Sequence, residues 1–360
     1  MTGEINKTAG TGMGSLLKRY REAHGVTQRE LATAAGLSIG ALRDLEQGRT
    51  RYPRWGMVEE LTAALGLGQA QRAELSRVWR NAGAGASRRR ARRSRGLCIQ
   101  VLGPLTAWRD GAPVELGSGR QRAVLGLLAL HHDTGLHRNA IIDLLWGERP
   151  PASAVPEVQG YVSRLRKILS DGPRRAAITT VGSCRYHLQV GAGQIQLDLT
   201  AFRQATREAR SALTTPARAC DMYEQALGMW CGDLLADVDL LRGHPAAIEV
   251  TRQHAEAVLD YAETAMLASV PGRVLPHLRR LCAGEPLNEH AHARLMVALA
   301  ATGQQAAALE VFAELRSLLD TEFGILPSPV LVRAHAAVLR QTDCAAVSFL
   351  SRTDVVRAPA

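Results

Sequence analysis

Apolar residues recur in three rhythms along the chain, and each rhythm marks a different architecture. Over residues 14–80 they fall at helical spacing in short bursts separated by glycine and capping residues. In GSLLKRYREAHG, Leu16, Leu17 and Tyr20 share one face of a helix that Gly25 ends. Thr27, followed three residues later by Glu30, has the spacing of a capping box and starts a second helix, with Leu31 and Ala34 facing inward. Gly36 permits a tight turn, Leu37 packs beside it, and Ser38 caps a third helix, IGALRDLEQG, whose Leu42 and Leu45 are buried by spacing. A fourth helix runs around MVEELTAALGL.

The period shortens over residues 97–197, where LCIQVLG, LTAWR and PVELG are β-prone runs and Asp110-Gly111 supplies a hairpin turn. These predict a three-stranded antiparallel platform. RQRAVLGLLALHH and NAIIDLLWG then read as helices, the second ended by Gly147. In VPEVQGYVSRLRKIL, residues 155–169, the positions Val158, Tyr161, Val162, Leu165, Ile168 and Leu169 form one apolar arc. Pro150 and Pro151 stop the chain before it, Ser153 can cap it, and Pro156 fits in its first turn. AITTVGSCRYHLQV closes the segment as two strands around Gly182 and Ser183, completing a winged helix.

From residue 198 to 345 the pattern is helical throughout, with glycine or proline at the junctions. LTAFRQATREARSAL, ARACDMYEQALGMW, AAIEVTRQHAEAVLDYAETAMLA, VLPHLRRLCA, NEHAHARLMVALAATG and QQAAALEVFAELRSLLDTEFG are successive antiparallel candidates. The last pair has the small-large spacing of a tetratricopeptide hairpin, closed by Pro327. The chain therefore reads as mainly α and multidomain: an N-terminal helix-turn-helix bundle (14–80), a basic linker (81–96), an α+β winged helix (97–197), a tetratricopeptide-like α-solenoid (198–345) and a flexible tail (346–360).

Charge sharpens this division. Residues 1–96 hold 18 Lys/Arg against 8 Asp/Glu, residues 97–197 hold 11 against 7, and residues 198–360 hold 15 against 19. A basic half joined to an acidic half suits a nucleic-acid-binding part linked to a protein-facing part. All but three of the basic residues are arginine, so an arginine-rich genome supplies the same total by itself. The linker NAGAGASRRRARRSRG has no apolar period, and its arginines can neutralise phosphates or simply keep a spacer extended. Six well-separated cysteines without a C-x-x-C pair argue against a zinc site or a disulfide framework. No run is long enough to cross a bilayer, and nothing at the N-terminus suits a signal peptide, so the cytoplasm is the expected compartment.

The segment TQRELATAAGLSIGALRDLEQG resembles the helix-turn-helix of the Cro/repressor class. That resemblance places Ser38, Ile39, Gly40 and Arg43 near base edges, and Gln28, Arg49 and Arg51 near phosphates. Further along, LGPL, RQRAVLGLLAL, LLWGERPP and VQGYVSRLRKIL, in that order, resemble the winged helix of the Streptomyces antibiotic regulatory protein (SARP) family. That winged helix is similar to the output domains of OmpR-type response regulators. The resemblance implies that the helix at 155–169 lies in the major groove, with Gln159, Gly160 and Ser163 nearest base edges. Arg164, Arg166 and Lys167 would hold the backbone or a guanine, and Arg185 on the wing would reach the minor groove. DLTAF at 198–202 and LLDTEFGILPSPVL at 318–331 are similar to the bacterial transcriptional activation domain of the same family. The family likeness implies an activator of a biosynthetic gene cluster, bound as two or more copies to direct repeats in promoter DNA and recruiting RNA polymerase through its sigma factor.

Other chemistry finds little footing. His290 and His292, or His254 and Glu256, stand two apart and point to different sides of a helix, unlike the i,i+4 pairs of a helical zinc site. His131 and His132 end a helix whose dipole favours positive charge. Trp146 and Trp230 read as core anchors. No triad, paired carboxylates or phosphate-binding Gly-Lys-Ser/Thr loop is evident, so no catalysis, metal or cofactor is expected. Two other readings keep the same domains: a regulator whose helical repeats sense a small molecule or partner, and an interaction scaffold with vestigial DNA-binding modules.

Overall fold

A computed structural model of the chain describes residues 13–48, 55–68, 71–72, 74–75, 78, 96–170, 176–191, 195–212 and 214–340. All but Gly96 of the linker expected at 81–96, together with Arg49, Arg51 and the tail at 346–360, lies outside these residues. The chain divides into two compact units, one made of residues 1–200 with 230–248, the other of 201–229 with 249–360.

The first unit begins with four helices, α1 (Met13–Ala23), α2 (Gln28–Ala34), α3 (Ile39–Glu46) and α4 (Trp55–Ala64). Leu17, Leu31, Leu42, Leu45 and Leu61 fill their common core. Thr27 and Glu30 form the capping box that their spacing requires, and the Ser38 hydroxyl accepts the Ala41 N–H. Ala34 is exposed, and Ala32 and Ala35 take the inward positions instead: the short α2 turns its seam by one residue from the sequence reading. Gly14 is required sterically, because a Cβ there would lie 2.0 Å from the Leu45 carbonyl oxygen.

A sheet follows, in the order β3-β2-β1-β7. Strands β1 (Leu97–Gln100), β2 (Thr106–Arg109) and β3 (Ala112–Pro113) are antiparallel. Asp110 (φ 49°) and Gly111 (φ 83°) form the tight turn between β2 and β3. The platform is larger than its sequence signal: β7 (Ile195–Leu197) pairs parallel to β1, while β3 is confined to two residues. Helices α5 (Gly119–Leu130), α6 (Arg138–Trp146) and α7 (Ala154–Leu169) come next. Then β5 (Ile178–Val181) and β6 (Arg185–Leu188) form the wing. They sit in a three-stranded sheet, β4-β6-β5, because the short β4 (Leu136–His137) between α5 and α6 pairs with β6. These elements make an α+β winged helix.

The segment Trp230–Ile248 groups with this unit although it lies between two helices of the other. Its backbone N–H groups at Cys231 and Leu235 donate to the Leu102 and Val101 carbonyls at 2.8 and 3.0 Å. Asp237 accepts from the Leu105 N–H at 2.7 Å and pairs with Arg122 of α5. A Cβ on Gly126 would lie 2.7 Å from Leu241 Cδ1, so that glycine lets the segment lie close on α5.

Among its described residues the second unit is helical and holds no strand. It takes in most of α8 (Asp198–Ser211), α9 (Pro216–Leu227), most of α10 (Pro245–Leu267), α11 (Leu275–Gly284), α12 (Glu289–Ala301), α13 (Gln305–Phe323) and α14 (Pro329–Arg340). Phe202, Tyr223 and Tyr261 are among its largest buried side chains. Arg273 bridges Asp221 and Glu224, each at 2.7 Å, and Tyr261 donates to Glu224 at 2.8 Å. Arg273 first, and Tyr261 after it, draw the Glu224 carboxyl down to about 2 against its partial burial. Helix α14 was not separated in the sequence reading; Pro329 at its first position restarts the helix after Pro327.

Candidate nucleic-acid interface

Helix α7 carries the densest set of outward polar side chains on the winged helix. Its inner face is sealed by Val158, Tyr161, Val162, Leu165 and Leu169, all buried, with Ile168 half-buried at the edge. Pro156 lies in the first turn, where a missing N–H leaves no intrahelical bond unmade. Ser153 precedes the helix without capping it; its hydroxyl donates to Glu157 instead, at 2.7 Å. The reason is backbone geometry, since Ser153 is already near-helical (φ −80°, ψ 0°) and cannot aim its oxygen at the first turn.

On the outer face Gln159, Ser163, Arg164 and Lys167 are exposed, while Gly160 and Arg166 are half-buried. The three bases sit in different surroundings. Arg164 holds its guanidinium 4.9 Å from the centre of the Tyr161 ring, and its Nε donates to Gln121 of α5 at 3.4 Å. Arg166 reaches the wing, donating to the Ile178 carbonyl at 2.8 Å and to the Thr180 hydroxyl. The Lys167 side chain forms no ion pair or hydrogen bond with another described residue. Gly160 has no steric duty: a Cβ there would meet the Arg164 guanidinium, its nearest atom Nη1 at an ordinary 3.5 Å.

The helix is fixed at its far end by a residue that sequence reasoning missed. Arg109 on β2 donates to the carbonyls of Ile168 (3.0 Å) and Ser170 (3.4 Å), supplying cations and donors where the helix C-terminus presents unsatisfied oxygens. Nothing in the local sequence marks Arg109, because the partner lies about 60 residues away. At the other end, Arg120 lies 3.8 Å from Glu157 and 5.4 Å from the Trp146 ring centre. Trp146 is thus a half-exposed platform for Arg120, not a buried anchor. Arg185 on β6 is exposed, its Nη1 turned to the Thr134 and Gly135 carbonyls at 3.2 and 3.4 Å.

The helix-turn-helix offers a sparser surface. Gly40 and Arg43 are exposed on α3, Ile39 packs partly into the core, and Ser38 spends its oxygen on the cap. Gln28 donates to Glu46 at 2.7 Å. Glu46 is itself buried in a two-point pair with Arg21, at 2.6 and 3.0 Å. Burial opposes that carboxylate's charge, but the hydrogen bonds from Arg21 and Gln28 outweigh it and hold Glu46 below the usual carboxylate range.

The histidines behave differently from the helix-dipole expectation. His131 caps α5, yet burial lowers its pKa, and its ring meets His244 edge-on at 5.9 Å. His244 is lowered by burial and by His131. At His131 burial therefore outweighs the nearby Asp133, which favours the charged ring. The five described cysteines form no disulfide with one another; Cys98, Cys220 and Cys282 are buried. No group of three or more His, Cys, Asp or Glu among the described residues is placed to hold a metal ion, and no described helix is long and apolar enough to cross a membrane.

These parts, a helix-turn-helix bundle and a winged helix with a helical repeat domain, define a bacterial type of transcriptional regulator. Three family descriptions match in sequence: a helix-turn-helix domain over residues 13–75, the C-terminal domain of transcriptional regulatory proteins over 111–188, and the bacterial transcriptional activator domain over 197–339. Regulatory protein DnrI of Streptomyces peucetius is 33% identical over 262 residues, covering 67% of this chain and 92% of that relative. The chain belongs to the SARP family of regulators. Regulatory protein AfsR of Streptomyces coelicolor is 33% identical over 260 residues, which is 71% of this chain and 25% of AfsR, so the chain spans about a quarter of that relative. Among solved structures, Mycobacterium tuberculosis EmbR in complex with a low-affinity phosphopeptide superposes with a TM-score of 0.60 at 28% identity. That match covers 69% of this chain and 66% of EmbR.

Proposed function

We propose that the chain is a cytoplasmic, sequence-specific DNA-binding activator of a biosynthetic gene cluster. In this reading α7 enters the major groove, Gln159, Gly160 and Ser163 face base edges, and Arg164 and Lys167 hold the backbone or a guanine. Arg185 approaches the minor groove from the wing. The front domain, in the manner of the Cro/repressor class, adds contacts through Ser38, Ile39, Gly40 and Arg43, with Arg49 and Arg51 near phosphates. Two or more copies bind direct repeats, and the protein recruits RNA polymerase through the sigma factor.

The observation that carries this reading is the outer face of α7: exposed Gln159, Ser163, Arg164 and Lys167 on a helix whose C-terminal carbonyls are bonded by Arg109. Membership of the family supports the roles in activation and recruitment. The test is a footprint of the full chain on DNA upstream of neighbouring biosynthetic genes, with and without RNA polymerase holoenzyme. The reading expects protected direct repeats and, with polymerase added, protection extended into the promoter. Uniform, sequence-independent protection would count against it.

A further inference from the structure

The run Arg164-Leu165-Arg166-Lys167 puts three cations on one helix, and the structure separates their uses. Arg166 alone of these turns to the wing: its Nε donates to the backbone carbonyl of Ile178 at 2.8 Å and its Nη2 to the Thr180 hydroxyl at 2.5 Å. Ile178 and Thr180 are two apart on β5, and each is paired across the ribbon, with Leu188 and Tyr186 of β6. Among the described residues, the side-chain hydrogen bonds joining α7 to β5 are both from Arg166. A planar guanidinium can reach two acceptors on one strand edge; a lysine ammonium, a point charge on a flexible stem, cannot hold that fork.

We propose that Arg166 is a positioning residue: it ties the wing to α7 and sets how the two meet neighbouring grooves, without itself contacting DNA. This rests on the reading that α7 lies in the major groove. The wing is a narrow ribbon whose β6 is also paired with β4, and the Arg166 tie on β5 helps set the spacing from α7 at which its tip, Gly182 to Cys184, meets a minor groove. Arg166 therefore acts through geometry, whereas Lys167, without a partner among the described residues, acts through charge.

The two roles separate in a charge-conserving variant. Full-length Arg166→Lys, Arg166→Gln, Thr180→Val, Lys167→Gln and the Arg166→Lys/Thr180→Val double variant would be titrated against the footprinted operator across a salt series, with a hydroxyl-radical footprint of each complex. Arg166→Lys and Arg166→Gln should lose affinity alike, by about tenfold, the scale of a lost charge-assisted hydrogen bond. Both should lose protection at the wing side only, and Arg166→Lys should keep the wild-type salt slope. Lys167→Gln should flatten the slope by about one phosphate contact. Thr180→Val should show a smaller wing-side loss, and the double variant should bind no worse than Arg166→Lys alone, because the two side chains serve one tie.

Wild-type affinity for Arg166→Lys, with a flattened slope for Arg166→Gln, would make Arg166 a phosphate contact and overturn the proposal. So would losses that multiply in the double variant. Should both Arg166 variants melt out of the folded state, Thr180→Val decides, and unchanged wing-side protection there overturns the tie. If wild type gives no specific complex and Lys167→Gln is silent as well, the groove reading itself has failed and takes this one with it.

Discussion

The helices α3 and α7 stand at equivalent stages of two helix-turn-helix arrangements, yet their surroundings use charge in opposite ways. In the front domain the cationic Arg21 and the polar Gln28 both turn inward to Glu46, and the outward face of α3 offers Gly40 and Arg43. In the winged helix the carbonyls at the C-terminus of α7 are met from outside by Arg109, leaving Gln159, Ser163, Arg164 and Lys167 outward. The net charge of a domain is thus a poor guide to the charge of its reading face. Residues 1–96 carry the larger positive excess, but much of it falls in the linker, and the buried Arg21–Glu46 pair is neutral.

The contrast predicts separable losses. The largest is in stability: Glu46→Ala leaves the buried Arg21 without its two-point partner, with Glu22 at 3.6 Å as its remaining carboxylate, and should cost about 3 kcal/mol in the front domain. In a melt followed domain by domain, the winged-helix transition should not move. Equal loss in both transitions would mean that the two domains unfold as one. Next, removing Arg164 and Lys167 together should lower operator affinity by about a hundredfold, and Arg43→Ala by less than about threefold, at one salt concentration in a binding titration. Comparable losses from the two would erase the distinction between the helices.

Acid should act on the front domain in a defined direction. Glu46 titrates below an unfolded carboxyl, so the stability it confers is complete above the unfolded value and is lost as the pH falls through its depressed folded value. A denaturant series from neutral to acid pH should show that loss in wild type and not in Glu46→Gln. The smallest effect concerns Gly160. An interior helix glycine costs about 0.5–1 kcal/mol relative to alanine, and nothing within the protein needs it, so Gly160→Ala should raise the melting temperature slightly while weakening operator binding. If it raised stability with unchanged binding, Gly160 would not be a point of close approach to DNA.

Local rules made much of this legible. The Thr27–Glu30 capping box, the Ser38 cap, the Asp110-Gly111 turn and the inner seam of α7 all follow from residues within a few positions of one another, and they are found as read. What was not legible depends on distant partners. Strands β4 and β7 are two and three residues long and exist only because β6 and β1 pair with them. Arg109, and the Asp237 pairing with Arg122, join parts of the chain far apart in sequence. At Ser153 and His131 the local rule was correct in kind but was overruled, by the backbone angle in one case and by burial in the other. The basic run on α7 was visible from the outset; that Arg166 turns to β5 was not, since helical spacing gives the direction of a side chain and not its partner.

The most direct test of the account compares footprints of three full-length proteins on the same operator: wild type, Arg164→Ala/Lys167→Ala, and Arg43→Ala. If α7 is the principal reader, the α7 variant should lose protection of the direct repeats, while the α3 variant should protect the same bases as wild type. Retained protection by the α7 variant, with protection lost from Arg43→Ala, would contradict the account and move the reading to the front domain.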